Sequence, residues 1–293
     1  MNLFRQVTFN LIIMLIPELV FASDGEFSDR EATPKRIVSL APVLTEMLLE
    51  LEEGSRLVGR TSYCRLPQEI EDSALDVGGY LDASTEKIRF LKPDMVISLK
   101  GEVNTSKNIR DLGIRSEEFS NESIKDIQNS YLELARIFGK EEQAARFLEQ
   151  KKNRLVNLRT RLIPYIEKVP KVLFVLGDGS GSIRQSTVYV AGKNSFYAEL
   201  LKMLGFSYPL GSSVLYPQIG LEGIRALKPD LIIIGGEAVL ADKSFSGEIS
   251  QQLSKIAKGQ LIRIYSDNIL YPGINYDLIA EQIADKIVSD FKS

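Results

Sequence analysis

Hydrophobic and polar positions follow a helical period over the longest regular stretch of the chain, Glu141–Ile166. The stretch contains no glycine, and Pro164 comes only in the last turn. At 1.5 Å per residue such a helix would be about 39 Å long. Because the chain has the same α/β character before and after it, the pattern favours a rigid strut between two lobes over a coiled coil. The apolar residues fall on one stripe, at Ala144, Leu148, Leu155, Leu158, Leu162 and Ile166.

Short apolar runs and amphipathic stretches alternate on both sides of this helix. The runs predict buried strands, at Arg36–Leu40, Met95–Leu99, Lys171–Leu176 and Leu261–Tyr265. Strands that alternate with helices favour mainly parallel sheets with helices on their faces. We therefore expect an α/β chain with two Rossmann-like lobes, a long helix that joins them and a ligand cleft between them. The predicted boundaries are 34–139 for the first lobe, 140–168 for the connecting helix and 169–293 for the second lobe.

A weak internal repeat relates the two lobes. Ile88–Ile97 reads IRFLKPDMVI and Ile224–Ile233 reads IRALKPDLII, with seven of the ten positions identical. Each Lys-Pro-Asp is predicted to end a helix and start a strand, because proline cannot continue the helix. Glu86 and Glu222 precede the repeats by two residues, so each lies in the first turn of a predicted helix. The repeat predicts lobes of similar construction, with the ligand site in the cleft between them.

The first 22 residues have the pattern of a secretory signal peptide. Arg5 provides the positively charged region, and Leu11–Ile16 forms the apolar run. Val20-Phe21-Ala22 fits the rule that small residues precede the cleavage site. The apolar run is too short to span a bilayer, which favours cleavage over a membrane anchor. Because no cysteine lies at the cleavage point, the usual lipid attachment is absent. We expect an exported, unlipidated protein in a periplasm.

Composition excludes several classes of site. The chain has no histidine, which excludes a Ser-His-Asp triad, HExxH zinc chemistry and histidine-ligated haem. The single cysteine, Cys64, excludes an intrachain disulfide and a CxxC metal site, and we expect it to be a small buried thiol. The chain has a net charge of -3 and no block of basic residues, which argues against nucleic acid as a partner. We expect a monomer with no catalytic residue, no metal site and no resident cofactor.

Two kinds of loop could contribute to a ligand site. Gly177–Gly181 has the spacing GxGxG, which is neither the dinucleotide fingerprint nor a Walker loop, so we expect a flexible loop beside the cleft. Arg65, Arg184 and Lys193 could add positive charge there. Tyrosines in predicted loops offer broad apolar rings with polar tips, and we expect two of them to line the cleft, the alternative being surface or interlobe packing. These tyrosines are Tyr63, Tyr80, Tyr216 and Tyr271.

Several motifs in order resemble the ABC-transporter substrate-binding proteins for cobalamin and iron complexes. They are Arg36–Leu51, the Thr61–Pro67 loop, Gly78-Gly79, both Lys-Pro-Asp repeats, Val190–Phe196 and Tyr271-Pro272-Gly273. The resemblance implies two α/β lobes on one rigid helix, a ligand between them, and delivery to an inner-membrane permease powered by an ATPase. It also places aromatic ligand contacts at Tyr63, Tyr80 and Tyr216 and an acidic one at Asp267. Members often carry arginine in the late loop, where this chain has Tyr271 and Asn275.

The resemblance also bears on Glu86 and Glu222. In that family one exposed acid on each lobe meets arginines of the permease, and these two residues match those positions. The simpler alternative is that each glutamate interacts favourably with its own helix dipole. For the ligand, the family implies cobalamin, with a ferric siderophore or haem as the alternative. Outside transport, the open alternatives are an enzyme accessory subunit on the same architecture and a ligand sensor.

Overall fold

The computed structural model of this chain describes residues 32–79, 82–101, 108–176, 187–236, 247–258, 260–266, 269 and 272–291. The predicted signal peptide and several predicted site residues lie outside the described residues, namely 1–22, Tyr80, Gly177–Gly181, Arg184, Asp267 and Tyr271. In the part of the chain that is described, no helix is long and apolar enough to cross a membrane.

The first sheet has five strands, all parallel, in the order β3-β2-β1-β4-β5. The strands are β1 (Ile37–Ser39), β2 (Leu57–Arg60), β3 (Leu75–Asp76), β4 (Met95–Leu99) and β5 (Arg115–Phe119). The helices that accompany them are α1 (Pro42–Glu50), α2 (Gln68–Glu71), α3 (Thr85–Leu91) and α4 (Ile124–Ile137), with a 3-10 turn at Gly54–Arg56 and a helical turn at 108–111.

The second sheet also has five strands, in the order β10-β9-β6-β7-β8. Strands β6, β9 and β10 are parallel, whereas β7 is antiparallel to both β6 and β8. The strands are β6 (Val172–Leu176), β7 (Thr187–Val190), β8 (Gln218–Gly220), β9 (Leu231–Gly236) and β10 (Leu261–Tyr265). The helices are α6 (Phe196–Met203), α7 (Leu221–Leu227), α8 (Gly247–Ile256) and α9 (Tyr276–Phe291), where α5 is the connecting helix described next.

The connecting helix α5 runs from Glu141 to Ile166, the bounds that its apolar stripe predicts. It packs against α4 on one side and α9 on the other. Its buried residues are Ala144, Lys151, Leu155, Leu158 and Leu162. Lys151 therefore occupies a position of the apolar stripe that the sequence pattern left empty, and its charge needs a partner there.

The predicted fold class is confirmed: two mainly parallel α/β sheets stand on either side of one long helix. The residue boundaries assigned to the lobes remain predictions. Pro42 is the first residue of α1, where the missing N–H of proline costs nothing. Strands β3, β5, β7 and β8 were not predicted, because β5 is largely polar and the others are only two to four residues long.

The repeated Lys-Pro-Asp sequence has the same geometry in both lobes. Lys92 and Lys228 end α3 and α7 in the left-handed conformation, with φ of 46° and 49°. The carboxylate of Asp94 then accepts hydrogen bonds from the backbone N–H groups of Lys35 (2.8 Å) and Arg36 (3.0 Å), at the start of β1. Asp230 accepts the corresponding bond from Lys171 at the start of β6 (2.9 Å). Each aspartate therefore fixes the start of one strand against the start of its parallel neighbour.

One apolar core extends through both lobes and the connecting helix. It includes Leu44 of α1, Leu155 of α5, Phe174 of β6 and Ile283 of α9, all essentially inaccessible to water. Two smaller clusters cover the opposite faces of the sheets, around Val38 in the first and Ile232 in the second. Because burial of apolar surface is the main stabilising term in folding, the lobes depend on each other for stability.

Replacing Asp94 with alanine should lower the free energy of unfolding by about 1–2 kcal/mol, because two backbone N–H groups lose a charged acceptor. Urea denaturation of purified protein measures this change. Asp72→Ala is the matched control, since the hydrogen bond described for its carboxylate comes from the Gln68 side chain and from no backbone N–H group. Equal stability of the two variants would mean that the Asp94 bonds contribute nothing.

Candidate ligand-binding site

A cavity of about 300 Å³ lies between the two sheets. The first lobe contributes Asn121 and Glu122, which follow the carboxyl end of β5. The second lobe contributes Leu176, Tyr197, Leu215, Tyr216 and Pro272. Clefts at the carboxyl ends of parallel strands are the usual ligand sites of α/β proteins. The cavity therefore occupies the interlobe position that the sequence predicts for a ligand.

Tyr216 is held in this cavity by a series of aromatic contacts. The ring of Phe174 in β6 stacks on that of Tyr197 in α6, with centroids 4.2 Å apart and planes 11° apart. Tyr197 in turn meets Tyr216 edge to face, at 6.3 Å. The hydroxyl of Tyr197 donates to the backbone carbonyl of Ile269. Because the buried rings fix its position, Tyr216 presents a rigid aromatic surface to the cavity.

The phenol of Tyr216 stays neutral over the whole physiological range. Burial, and then the negative charge of nearby Glu122, raise the pKa of Tyr216 to about 12. Burial and the neighbouring Tyr216 also raise the pKa of Tyr197 well above its usual value. The described wall thus offers neutral hydroxyl groups, apolar surface and one carboxylate to whatever occupies the cavity.

Gly192 fixes the segment that carries Tyr216. Its N–H donates to the carbonyl of Leu215 (2.8 Å), and the N–H of Lys193 donates to that of Ser212 (2.9 Å). A Cβ atom at Gly192 would lie 1.8 Å from the carbonyl oxygen of Val214, so only glycine allows the two backbones to approach this closely. The motif Val190–Phe196 therefore has a structural role next to the cavity.

The other predicted ligand residues have different outcomes. Tyr63 lies in the loop after β2 with 57% of its surface exposed, and it is not part of the cavity wall. Tyr80, Asp267 and Tyr271 lie outside the described residues, so their ligand roles remain predictions. Cys64 is buried, and its sulfur lies 3.1 Å from the hydroxyl of Thr45 and 3.2 Å from that of Thr61. Arg65 and Lys193 are exposed and do not line the cavity.

Sequence reasoning missed both residues of the described first-lobe wall. Asn121 and Glu122 directly precede a capping box, in which Ser123 and Asp126 exchange hydrogen bonds at the start of α4. That Ser-x-x-Asp signal fixes where α4 begins, and could have placed the two preceding residues at the end of β5. Tyr197 was missed because it lies within a helix rather than in a loop.

A cluster of polar side chains joins the two lobes beside the cavity. Asn275, just before α9, donates through Nδ2 to Glu50 of α1 (3.2 Å) and accepts at Oδ1 from Lys151 of α5 (2.6 Å). Lys151 also donates to the buried Asp277 (2.7 Å). Glu46 completes the cluster through a side-chain hydrogen bond with Asn275. Neither Glu46 nor Lys151 was singled out from the sequence.

Glu86 and Glu222 are exposed in the first turns of α3 and α7, as the sequence predicts. Glu222 forms an ion pair with Arg225 of its own helix, at 2.5 Å. The structure thus places the two acids at equivalent points of the repeat, and whether a partner binds them remains a prediction.

Within the described ranges, no group of three or more Cys, Asp or Glu side chains is arranged to hold a metal ion. The acids of the polar cluster are balanced instead by Lys151 and by Arg154, which donates to Asp277 (3.0 Å).

Replacing Gly192 with alanine should lower the free energy of unfolding by about 1–3 kcal/mol, because the added methyl group forces the 212–215 backbone away. Thermal and urea denaturation measure the loss. Gly211→Ala is the control, since a Cβ atom there meets nothing within 4 Å. A Gly192→Ala protein as stable as the control would show that the two segments move apart easily.

Comparison with known proteins places this architecture in a family. The model of the periplasmic binding protein family matches residues 37–258. An uncharacterized ABC transporter substrate-binding lipoprotein of Bacillus subtilis is 25% identical over 205 residues, which cover 68% of this chain and 63% of that protein. A cobalamin-binding protein of Halobacterium salinarum is 22% identical over 253 residues, which cover 83% of this chain and 66% of that protein. The matches thus span slightly less than two thirds of the length of these relatives.

Solved structures show the same fold. An ABC transporter substrate-binding protein from Listeria monocytogenes superposes with a TM-score of 0.70 at 19% identity, over 86% of this chain and 98% of that chain. Other similar proteins are named for vitamin B12, Fe(3+)-citrate or haem. With a family model that spans most of the described fold, the chain belongs to the periplasmic binding protein family.

Proposed function

We propose that this chain is the substrate-binding component of an ABC importer, which captures cobalamin and delivers it to an inner-membrane permease with its ATPase. The main observation that supports this proposal is the interlobe cavity. In it, Tyr216 packs edge to face against Tyr197, which is stacked on Phe174. A corrinoid is a broad, nearly neutral macrocycle, and it would pack its face or edge against such a wall. The relatives of this chain that are named for cobalamin and vitamin B12 support this choice of ligand.

The described cavity is at the lower end of the range for ligand sites. We therefore assign it one edge of the macrocycle. Tyr63, Tyr80, Asp267 and Tyr271 are proposed to contact the remainder. A strongly anionic ligand is less favourable here, because Glu122 would repel it and no lysine or arginine is among the described lining residues.

The alternative ligands within the family are a ferric siderophore and haem, which the names of other similar proteins support. Without histidine, haem iron would need another protein ligand, and a tyrosine phenolate is one that proteins use. The raised pKa of Tyr216 disfavours its phenolate and therefore weakens this alternative at that position. An enzyme accessory subunit is the alternative of another class, and turnover of a bound corrinoid would identify it.

We further propose export through the signal peptide of residues 1–22, a periplasmic location without lipid attachment, a monomeric state and no resident cofactor. One relative, from Bacillus subtilis, is by contrast named as a lipoprotein. The proposal for this chain rests on the absence of cysteine from the predicted cleavage point.

Tyr216→Ala should weaken cobalamin binding by roughly 1–3 kcal/mol, the range for losing a buried aromatic contact, without unfolding the protein. Isothermal titration calorimetry with cobalamin, haem and ferric siderophores measures both the ligand preference and the loss. Tyr63→Ala and Tyr80→Ala extend the test to the proposed outer contacts. The control is Tyr165→Ala. The ring of Tyr165, in the last turn of the connecting helix, packs on Phe291. Wild-type affinity in the Tyr216 variant would place the ligand elsewhere.

The double change Glu86→Ala and Glu222→Ala should leave ligand binding intact and abolish uptake in cells. Paired charges at an interface mainly set the specificity and the rate of association, so the salt-sensitive part of binding to the reconstituted permease should also disappear. The control removes two exposed acids from the connecting helix, Glu142 and Glu149. Normal uptake by the first variant, at normal protein levels, would leave only the helix-dipole role.

A further inference from the structure

The segment 272–275 connects the cavity to the polar cluster between the lobes. Pro272 lines the cavity, and Gly273 packs directly on α1, where a Cβ atom would lie 2.3 Å from the Oε2 atom of Glu46. Asn275 forms the hydrogen bonds to Glu50 and Lys151. A segment of the second lobe is thus held by side chains of the first lobe and of the connecting helix.

We infer that Glu46, Glu50, Lys151 and Asn275 form a proton-sensitive latch that holds segment 272–275, and with it Pro272, at the rim of the cavity. This inference goes beyond the proposed function and applies whichever ligand the cavity takes. It makes Glu46 a positioning residue for the cavity wall rather than a ligand contact.

The geometry gives the latch its sensitivity to protons. Glu46 and Glu50 stand one turn apart on the same face of α1, so two ionised carboxylates there repel each other. Lys151 is the one cation among the four latch residues, and it is buried and also paired with Asp277, to which Arg154 is bound as well. One negative charge of the acid pair is therefore poorly compensated when both are ionised.

Aromatic side chains lie next to Lys151 and Glu50. The ring of Phe147 lies under the Lys151 ammonium at 4.5 Å. Tyr131 of α4 is fully buried, and its hydroxyl has no hydrogen-bond partner among the described residues. Burial, and then the charge of Glu50, raise the pKa of that tyrosine above its usual value. Glu46 and Glu50 are half-buried beside these aromatic side chains.

The titration of Glu46 agrees with this geometry. Burial and the nearby Glu50 raise its pKa to about 7, against the opposing effects of the Asn275 hydrogen bond and the Lys151 charge. When the latch opens, the Glu46 carboxyl becomes more exposed to water and its pKa returns toward the ordinary value of 4.5. The closed latch therefore binds more protons than the open one between about pH 4.5 and 7. The closed form is therefore most stable relative to the open form at low pH, and this stability falls as the pH rises to about 7.

Amide hydrogen exchange of segment 272–278 in the ligand-free protein tests the inference. After correction for intrinsic exchange rates, the opening constant should rise about tenfold per pH unit between about pH 5 and 6.5, and level off above pH 7. In Glu46→Gln this rise should disappear, because the amide stays neutral and still accepts a hydrogen bond. Glu149→Gln, which removes an exposed acid of α5, should keep the wild-type profile.

Two outcomes would overturn the latch: a pH-independent opening constant in the wild type, or an unchanged pH rise in Glu46→Gln. Should Glu46→Gln not fold, Asn275→Ala provides the second test. That variant removes the bridge between Glu50 and Lys151, so exchange of 272–278 should be at least tenfold faster than in the wild type at pH 5. Exchange in α3, which is distant in the fold, should stay unchanged. Wild-type exchange of 272–278 in Asn275→Ala would also refute the latch. Because no ligand is present, failure of this test leaves the proposed transport function untouched.

Discussion

A buried ion pair in the connecting helix determines how the two halves of this protein are joined. Lys151 occupies one position of the apolar stripe of α5, and its ammonium is neutralised by Asp277, which is 2% exposed at the start of α9. Removing one partner of such a pair typically costs 3–5 kcal/mol, because the other charge is left buried and uncompensated. The pair therefore permits one register of α5 against α9. The same ammonium binds Asn275, so that register also sets the path of the chain from the cavity into the last helix.

The continuous core has a mechanical consequence for the cleft. Side chains from α1, α5, β6 and α9 belong to one apolar cluster, and hydrogen bonds also cross between the lobes. Examples are the bond from Gln128 of α4 to the hydroxyl of Tyr276 (2.9 Å), and that from the backbone of Ile124 to Glu199 (2.7 Å). Wide opening of the cleft would expose this core to water, so small adjustments at the rim require far less free energy than rotation of whole lobes.

The sequence allowed the framework to be predicted better than the site. The stripe of α5 and the apolar runs of β4 and β10 gave the observed bounds, because burial dictates both the period and the composition of these elements. Edge strands such as β5 are only partly buried, so their composition carries little signal. At the site, Tyr216 was predicted from its loop and residue type. Asn121 and Glu122 were not, because tertiary packing brings them to the cavity. Lys151 could have been noticed as a charge at an apolar position.

The two sheets have the same arrangement of three strands and differ in the direction of the remaining strands. Strands β1, β4 and β5 correspond to β6, β9 and β10, and both sets are parallel with the same Lys-Pro-Asp lock. The remaining pairs differ, since β2 and β3 continue the parallel order, whereas in the second sheet the order is reversed at β7, which is antiparallel to both β6 and β8. Gly192 and Tyr216 lie in the reversed part, whereas Glu86 and Glu222 belong to the repeated part. The molecule is thus pseudo-symmetric where the repeat is preserved and asymmetric where one wall of the cavity is built. Divergence of that wall can proceed without disturbing the duplicated half.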